Sequence, residues 1–460
     1  MEAPAASSSR QASIAATANS PLDPGELFGG IDFSKRNRVI VAVSGGSDSL
    51  ALLLLLKRYI DTGGHKALPL AVTVDHRLRP ESADEARRVG EIAARAGVEH
   101  RIVAWEMPKP ATGIAAAARE ARHSLLAGAA REAGTDIVLT GHTMDDQAET
   151  VAMRGLRGEG RGAAGIAPAT LFDGRCWFVR PLLRARRAAL RRFLTGVGQD
   201  WMDDPSNSDR RFERARTRTE LADGEVENLA AEAAAAGALR EALGRRAAAL
   251  IRAHAGLAAP GLVRLDKGFT AADDSEAAIY ALRILLAAIG GREHLPDAEK
   301  TAALLAGLAH PPFRATLSRS VADARRAGIF LYREWRGLPQ PRPFAVGIWD
   351  GRFRLEGSGI GQIVAPSGPE TAAAEATKTD IPASLARAAH ATRPALPRLG
   401  RFSGLLDEAE GSAQRAVPIV APWARYLPSF DIEPARAAAE LLGAAEIPPP
   451  PLAEHNRPEA

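Results

Sequence analysis

Cysteine is nearly missing from this chain: Cys176 is the only one in 460 residues. One thiol cannot build a disulfide framework, an iron–sulfur cluster or a paired-cysteine relay within the chain, and it points to a reducing compartment. No run of 18 apolar residues occurs, so no membrane span is expected. Residues 1–22 are rich in Ala and Ser, contain Glu2 and lack an apolar signal core. They are expected to form a flexible extension of a cytoplasmic protein. No internal repeat is present.

What is there suits a large, globular, multidomain chain. Hydrophobic residues make up 46% and charged residues 25%, enough to bury a core. From Arg38 to about Val179, strand-like and helix-like runs alternate: Val39–Val43, Leu50–Tyr59, Leu68–Val74, Glu81–Ala96, His100–Trp105, Ile114–Ala133, Asp136–Thr140, Asp145–Arg154 and Cys176–Val179. Such alternation predicts βαβ units and a parallel sheet with helices on both faces. The pattern then turns helical and rich in Ala and Arg. A smaller α+β part follows, in which Ile348–Leu355 reads as a hairpin and Ala391–Arg398 and Pro448–Ala460 as loosely ordered. The expected divisions are 1–22, 23–218, 219–335 and 336–460.

The sharpest local signal is Ser44-Gly45-Gly46-Ser47-Asp48-Ser49, between a buried strand and a Leu-rich helix. Glycines let backbone N–H groups approach an anion, hydroxyls add donors, and a helix N-terminus adds partial positive charge. No Lys closes the loop to hold a γ-phosphate, so it is not the GxxxxGK[ST] type. It reads instead as a cradle for pyrophosphate. Asp48 cannot bind phosphate alone, but it can hold a bridging Mg²⁺.

Four further features surround this loop in sequence. Gly141–Thr150 gathers His142, Asp145, Asp146 and Glu149 at a strand end. If a helix opens there, i, i+3 and i+4 spacing sets His142, Asp146 and Glu149 on one face. Capping explains part of this; an anionic pocket for Mg²⁺ or a cationic substrate such as free lysine explains the rest. Arg119 and Arg122 share a helix face and could clamp phosphate, or simply form a charged surface. Arg154–Gly162 holds four glycines and three arginines (Arg154, Arg157, Arg161), a basic loop able to wrap a phosphodiester or close over a nucleotide. From Arg175 to Arg218, 12 Arg face 5 Asp and Glu, an excess that outweighs the chain's net +4 and marks a nucleic-acid footprint. Arg184, Arg187 and Arg191 are its RNA-contact candidates, and Arg214 and Arg218 lie at its end.

Ser44–Ser49 resembles the SGGxDS motif of the PP-loop ATP pyrophosphatases, which split ATP to AMP and pyrophosphate. In order and spacing, SGGSDS, VDHRLRPES (Val74–Ser82), AAAAREARH (Ala115–His123), GHTMDDQAET (Gly141–Thr150), RGLRGEGRGAAGI (Arg154–Ile166), RPLL (Arg180–Leu183) and DDPSNSDRRFERARTR (Asp203–Arg218) resemble one branch, the tRNA(Ile)-lysidine synthetases. The resemblance implies ATP-dependent attachment of L-lysine to carbon 2 of the wobble cytidine of an isoleucine tRNA. It proceeds through an adenylated base. It further implies that Ser44, Gly45, Gly46, Ser47, Asp48 and Ser49 bind ATP, with Asp48 near Mg²⁺. His142, Asp146 and Glu149 would line the lysine and base site, with Arg119, Arg122, Arg214 and Arg218 clamping substrate or phosphate. Residues 219–335 are expected to contact tRNA, and a homodimer is left open. Two positions depart from the pattern: Thr143 stands where a second His is usual, and Ala215 where Asn is usual.

Overall fold

The computed structural model describes residues 22–155, 161–203, 213–358, 361–375, 381–398, 401–405 and 414–452. The expected flexible extension, apart from Leu22, lies outside them, as do Arg157 and residues 453–460. The chain forms two compact units, Met1–Ala238 with Pro449–Ala460, and Leu239–Pro448. The division falls inside a helix, Asp223–His254. The boundary expected after 218 would cut a shorter helix, Glu213–Glu220, and the composition change after Trp335 lies within the second unit.

In the first unit, β1 (Arg38–Ala42), β2 (Leu68–Asp75), β3 (Glu99–Ala104), β4 (Ile137–Leu139), β5 (Ala169–Phe172) and β6 (Cys176–Val179) run in the order β5-β6-β4-β1-β2-β3. All neighbours are parallel except β5 and β6. Val39, Ile40 and Val41 are fully buried in β1, which is why that strand reads as an unbroken apolar run rather than an alternating one. The strand β5 was not expected. Its signal is Asp173-Gly174, which take φ of 54° and 69° in the turn to β6. Helices α1 (Ser47–Gly63), α2 (Ser82–Arg95), α3 (Ile114–Glu132), α4 (Met144–Gly155), α5 (Arg187–Gly196) and α6 (Glu213–Glu220) complete the elements used below. The chain order, strand then helix, leaves the loops after β1 and β4 side by side at the carboxyl edge of the sheet, where ligands of open α/β sheets bind.

The second unit holds an antiparallel sheet of β7 (Ala255–Ala259), β8 (Leu262–Leu265), β9 (Phe313–Leu317), β10 (Ser320–Arg325) and β11 (Gly328–Arg333), ordered β7-β8-β11-β10-β9. The apolar helix Ser275–Gly290 and the helix Ala298–Leu308 belong to the same unit. The hairpin expected at Ile348–Leu355 is present as Gly347–Trp349 paired with Phe353–Gly357. Ala391–Arg398 is not loose. Ala391, Thr392 and Arg393 are buried, and Pro394–Arg398 is a strand paired with Ile363–Pro366. Its prolines read as loop because they lack donors, but here Pro394 simply sits opposite Pro366. Nor is the start of the C-terminal tail loose: Pro451 accepts the Asp32 N–H at 3.1 Å.

Candidate active site

The loop after β1 is shaped by its own hydroxyls. Ser49 Oγ donates to the Gly46 carbonyl (3.0 Å) and accepts from the Ser44 N–H (3.1 Å), while Ser47 Oγ donates to Asp48 Oδ1 (2.9 Å). Gly46 caps α1 without a side-chain bond, so the cap residue leaves the donors of the first turn open. Two glycines are required by close approach. Gly45 has φ 88°, and a Cβ there would fall 1.9 Å from Met202 Cε. A Cβ on Gly141 would lie 3.0 Å from the Asp48 carbonyl, because the loop after β4 packs directly on the start of α1.

Helix α4 begins at Met144, two residues later than a shared face with His142 needs. Thr143 closes its N-terminus: its N–H and Oγ1 bond to Asp146 Oδ2 at 2.8 and 3.0 Å, and its Oγ1 accepts the Asp146 N–H at 3.3 Å. This is a reciprocal cap. Thr143 is therefore structural, and Thr-x-x-Asp was the unread signal for it. His142 stands ahead of the helix, its Nδ1 3.0 Å from Thr140 Oγ1, so it does not share a helical face with Glu149. Asp145 also caps, accepting the Arg187 N–H at 2.7 Å at the start of α5.

Three carboxylates and three guanidiniums interlock beside the loop. Arg187 bonds Asp48 Oδ2 (3.0 Å), Asp146 Oδ1 (2.9 Å) and Glu149 Oε1 (3.3 Å). Arg214 bonds Asp146 Oδ1 (2.8 Å) and Glu149 Oε2 (2.7 Å), and Arg218 bonds Glu149 Oε1 (2.7 Å). Glu149 is 1% exposed and both its oxygens serve guanidiniums. It holds the arginines in place rather than facing a ligand, which corrects its expected place in the lining. Arg187, expected as an RNA contact, belongs to this cluster of paired charges. Arg187 and Arg191 are four apart on α5, and that shared face was the available signal. Arg191 lies near the loop, its Nε 3.5 Å from Ser47 Oγ and its guanidinium over Trp201.

Burial outweighs the pull of Arg187 and, with the like charge of Asp146, raises the Asp48 carboxyl above its ordinary value. Burial also holds the His142 imidazole well below its usual range, and Arg180, Arg122, Arg119 and Arg214 push the same way, so it is neutral at pH 7. Arg180, 6% exposed, donates among the described residues to neutral oxygens, those of Ala167 (2.8 Å), Thr170 (3.0 Å) and Phe178 (3.4 Å). Burial and the neighbouring Arg119 and Arg122 push it down to about 9. Among the described residues no carboxylate pairs with these three arginines. One side of the site is charge-matched, and the other is cationic.

Ser44, Gly46, Ser47, Asp48, Ser49, Arg122, Gly141, His142, Asp146, Arg187, Arg191, Met202, Asp203, Arg214 and Arg218, with Ala42, line one cavity of about 610 Å³. Sequence positions 44 to 218 thus converge on a single pocket. Gly45 lies beneath it against Met202, and Arg119 and Arg184 are exposed outside its lining. Arg154 donates to the carbonyls of Gly162 (3.2 Å) and Gly165 (2.9 Å). Arg161 begins a short 3-10 turn, Arg161–Ala164.

The model of a PP-loop domain matches residues 13–225, the stretch that builds this cavity. A tRNA(Ile)-lysidine synthase of Mesorhizobium japonicum is 49% identical over 94% of this chain and 97% of its own length. The chain belongs to the tRNA(Ile)-lysidine synthase family. Other proteins of that name, from Rhizobium meliloti and Brucella anthropi, are 37% and 38% identical over 91% and 92% of this chain, and over 95% and 98% of their own. Agreement runs through both units, so membership does not rest on the PP-loop alone. The PP-loop half of this chain is a mostly parallel sheet flanked by helices, as expected. No helix among the described residues is long and apolar enough to cross a membrane.

Proposed function

We propose that this protein joins free L-lysine to carbon 2 of the wobble cytidine of an isoleucine tRNA with a CAU anticodon, consuming ATP and releasing AMP and diphosphate. The observation that carries this reading is the cavity itself. The start of α1 and the Ser-Gly-Gly loop form one wall, and the neutral His142 imidazole with Arg122, which has no carboxylate partner among the described residues, forms another. Such a pocket suits a nucleoside triphosphate beside a base to be activated.

The base oxygen at carbon 2 attacks the α-phosphorus of ATP, and the bond to the β-phosphate oxygen breaks. The first-turn N–H groups of α1 and the hydroxyls of Ser44 and Ser47 receive the charge that develops on the leaving pyrophosphate. The lysine amine, having lost a proton, then attacks carbon 2, and AMP departs with the oxygen. Asp146 and Glu149 are poor acceptors for that proton, since their oxygens already serve guanidiniums and the Thr143 cap. His142 is uncharged and lines the cavity, so it is the residue we assign to the step. Its basicity is held down by burial and by Arg180, Arg122 and Arg119; a bound phosphate beside those arginines offsets their charge and raises it. Proton acceptance is thereby tied to an occupied site.

Magnesium fits this donor set as a shared ion. No group of three His, Cys, Asp or Glu among the described residues is arranged to hold a metal by protein alone. Mg²⁺ is ordinarily held by one or two carboxylates plus phosphates and water. Asp48, whose buried carboxyl would gain from a cation, would hold it, and the ion would offset phosphate charge. The flipped wobble base must leave the anticodon stack to enter the cavity. Purified protein, ATP, labelled lysine and a CAU-bearing isoleucine transcript test the reading. Lysine-dependent label in the RNA supports it, and AMP release with no label in the RNA overturns it.

A further inference from the structure

In the second unit, Thr316, Val321 and Tyr332 stand in cross-strand register on β9, β10 and β11. A helix, Ala383–Ala391, packs on that face, its Leu385 and Ala389 sharing a core with Val321 and Tyr332. Between this helix and the edge strand β9 lies a groove of about 680 Å³. Arg314 of β9, Arg336 beyond β11 and Arg387 of the helix are exposed on its rim. None of the three has a carboxylate partner among the described residues. Asp323, opposite Arg314 in the ladder, is taken by Arg325 through contacts of 2.8 and 3.0 Å. Trp335 lines the same groove at 55% exposure, the one aromatic among the large exposed apolar side chains described.

An open indole face beside three guanidiniums that have no carboxylate partner among the described residues, with Glu334 also in the lining, offers two things at once: a stacking surface and countercharges for phosphate. A base-paired helix presents no base face to stack. We propose that this groove holds an unpaired nucleotide of the RNA substrate, its base on Trp335 and its flanking phosphates on Arg314, Arg336 and Arg387. The inference rests on the reading that the substrate is a tRNA, and it gives the second unit a defined share in binding it. Stacking tolerates any base, so the groove contributes affinity and register rather than sequence choice.

The test is equilibrium binding of the CAU isoleucine tRNA to the full-length protein. Trp335→Ala is expected to raise Kd about 5- to 150-fold, the worth of one base–aromatic stack, and Trp335→Phe to restore most of the loss. Arg314→Gln and Arg387→Gln are each expected to lower the slope of log affinity against log salt by about 0.7, whereas Trp335→Ala leaves the slope unchanged. The kcat at saturating tRNA stays at the wild-type value in all four variants, since none of these residues lines the cavity of the first unit. A Kd for Trp335→Ala within twofold of wild type overturns the groove. Wild-type modification, measured in parallel, separates the two claims. Its absence overturns the proposed function; its presence with unaltered Trp335→Ala binding overturns the groove alone.

Discussion

Glu149→Gln removes one charge and almost no volume from a site that is 1% exposed. In the wild type its oxygens take Arg187 at 3.3 Å, Arg214 at 2.7 Å and Arg218 at 2.7 Å. After the change, three guanidiniums share Asp48 and Asp146. Removing one partner of a buried ion pair costs about 3–5 kcal/mol. The side chains of Arg214 and Arg218 are 43% and 33% exposed and can turn to water, which moves the expectation to the low end, about 3 kcal/mol. That is roughly a hundredfold in a local opening equilibrium. Hydrogen exchange reads it directly: amides of α4 and α6 should lose about two decades of protection, while the second unit keeps its own. Should protection hold and the KM for lysine rise tenfold instead, Glu149 touches substrate and the organising role assigned to it here is wrong.

Gly141→Ala should cost more activity than Gly45→Ala. The new methyl at 141 meets the backbone of Asp48 and Ser49 at 3.0 and 3.1 Å, whereas at 45 it meets the movable end of Met202 but also forces a left-handed φ. ATP affinity by equilibrium dialysis should fall at least tenfold for Gly141→Ala, and Gly45→Ala should recover in part when Met202 is shortened to Ala. Thr143→Val should lower the stability of the first unit by about 1 kcal/mol through loss of the cap, read as reduced protection at the start of α4. Burial lowers the His123 imidazole to about 4, with Nδ1 on the Arg119 carbonyl at 2.7 Å. The unfolded chain therefore binds a proton near pH 6.5 that the folded chain refuses, so this contribution is complete above pH 6.5. It is lost as pH falls toward 4, by about 3 kcal/mol in all. His123→Phe should flatten the acid limb of urea stability measured between those pH values, relative to wild type.

Most of the first unit was legible because its signals are local. An apolar run, a Gly-Gly turn and a Leu-rich helix specify β1, the loop and α1 within two dozen residues, and βα alternation specifies the parallel sheet. The Arg field was legible as charge but not as geometry. Which arginine meets which carboxylate depends on α5 and α6 returning to the carboxyl edge of the sheet, 69 residues apart in sequence for Arg218 and Glu149 and 139 for Arg187 and Asp48. Local spacing cannot show that return, so Arg187 read as surface and Glu149 as lining. The antiparallel strands β5 and β10 were missed for a similar reason, since each is four to six residues long and is defined by its partner. The strand Pro394–Arg398 was hidden by prolines, whose missing donors argue for a loop unless the opposite strand needs none.

In the proposed reaction the Ser44–Ser49 loop activates the RNA base and not the amino acid. Pyrophosphate release with one substrate omitted tests it most directly. With ATP and CAU isoleucine tRNA but no lysine, one equivalent of pyrophosphate per enzyme-bound tRNA is expected, with AMP retained on the RNA; Asp48→Asn should abolish both while tRNA binding persists. With ATP and lysine but no tRNA, no pyrophosphate is expected. Pyrophosphate formed from lysine and ATP alone would mean that lysine is the activated partner and that the order of activation given above is wrong.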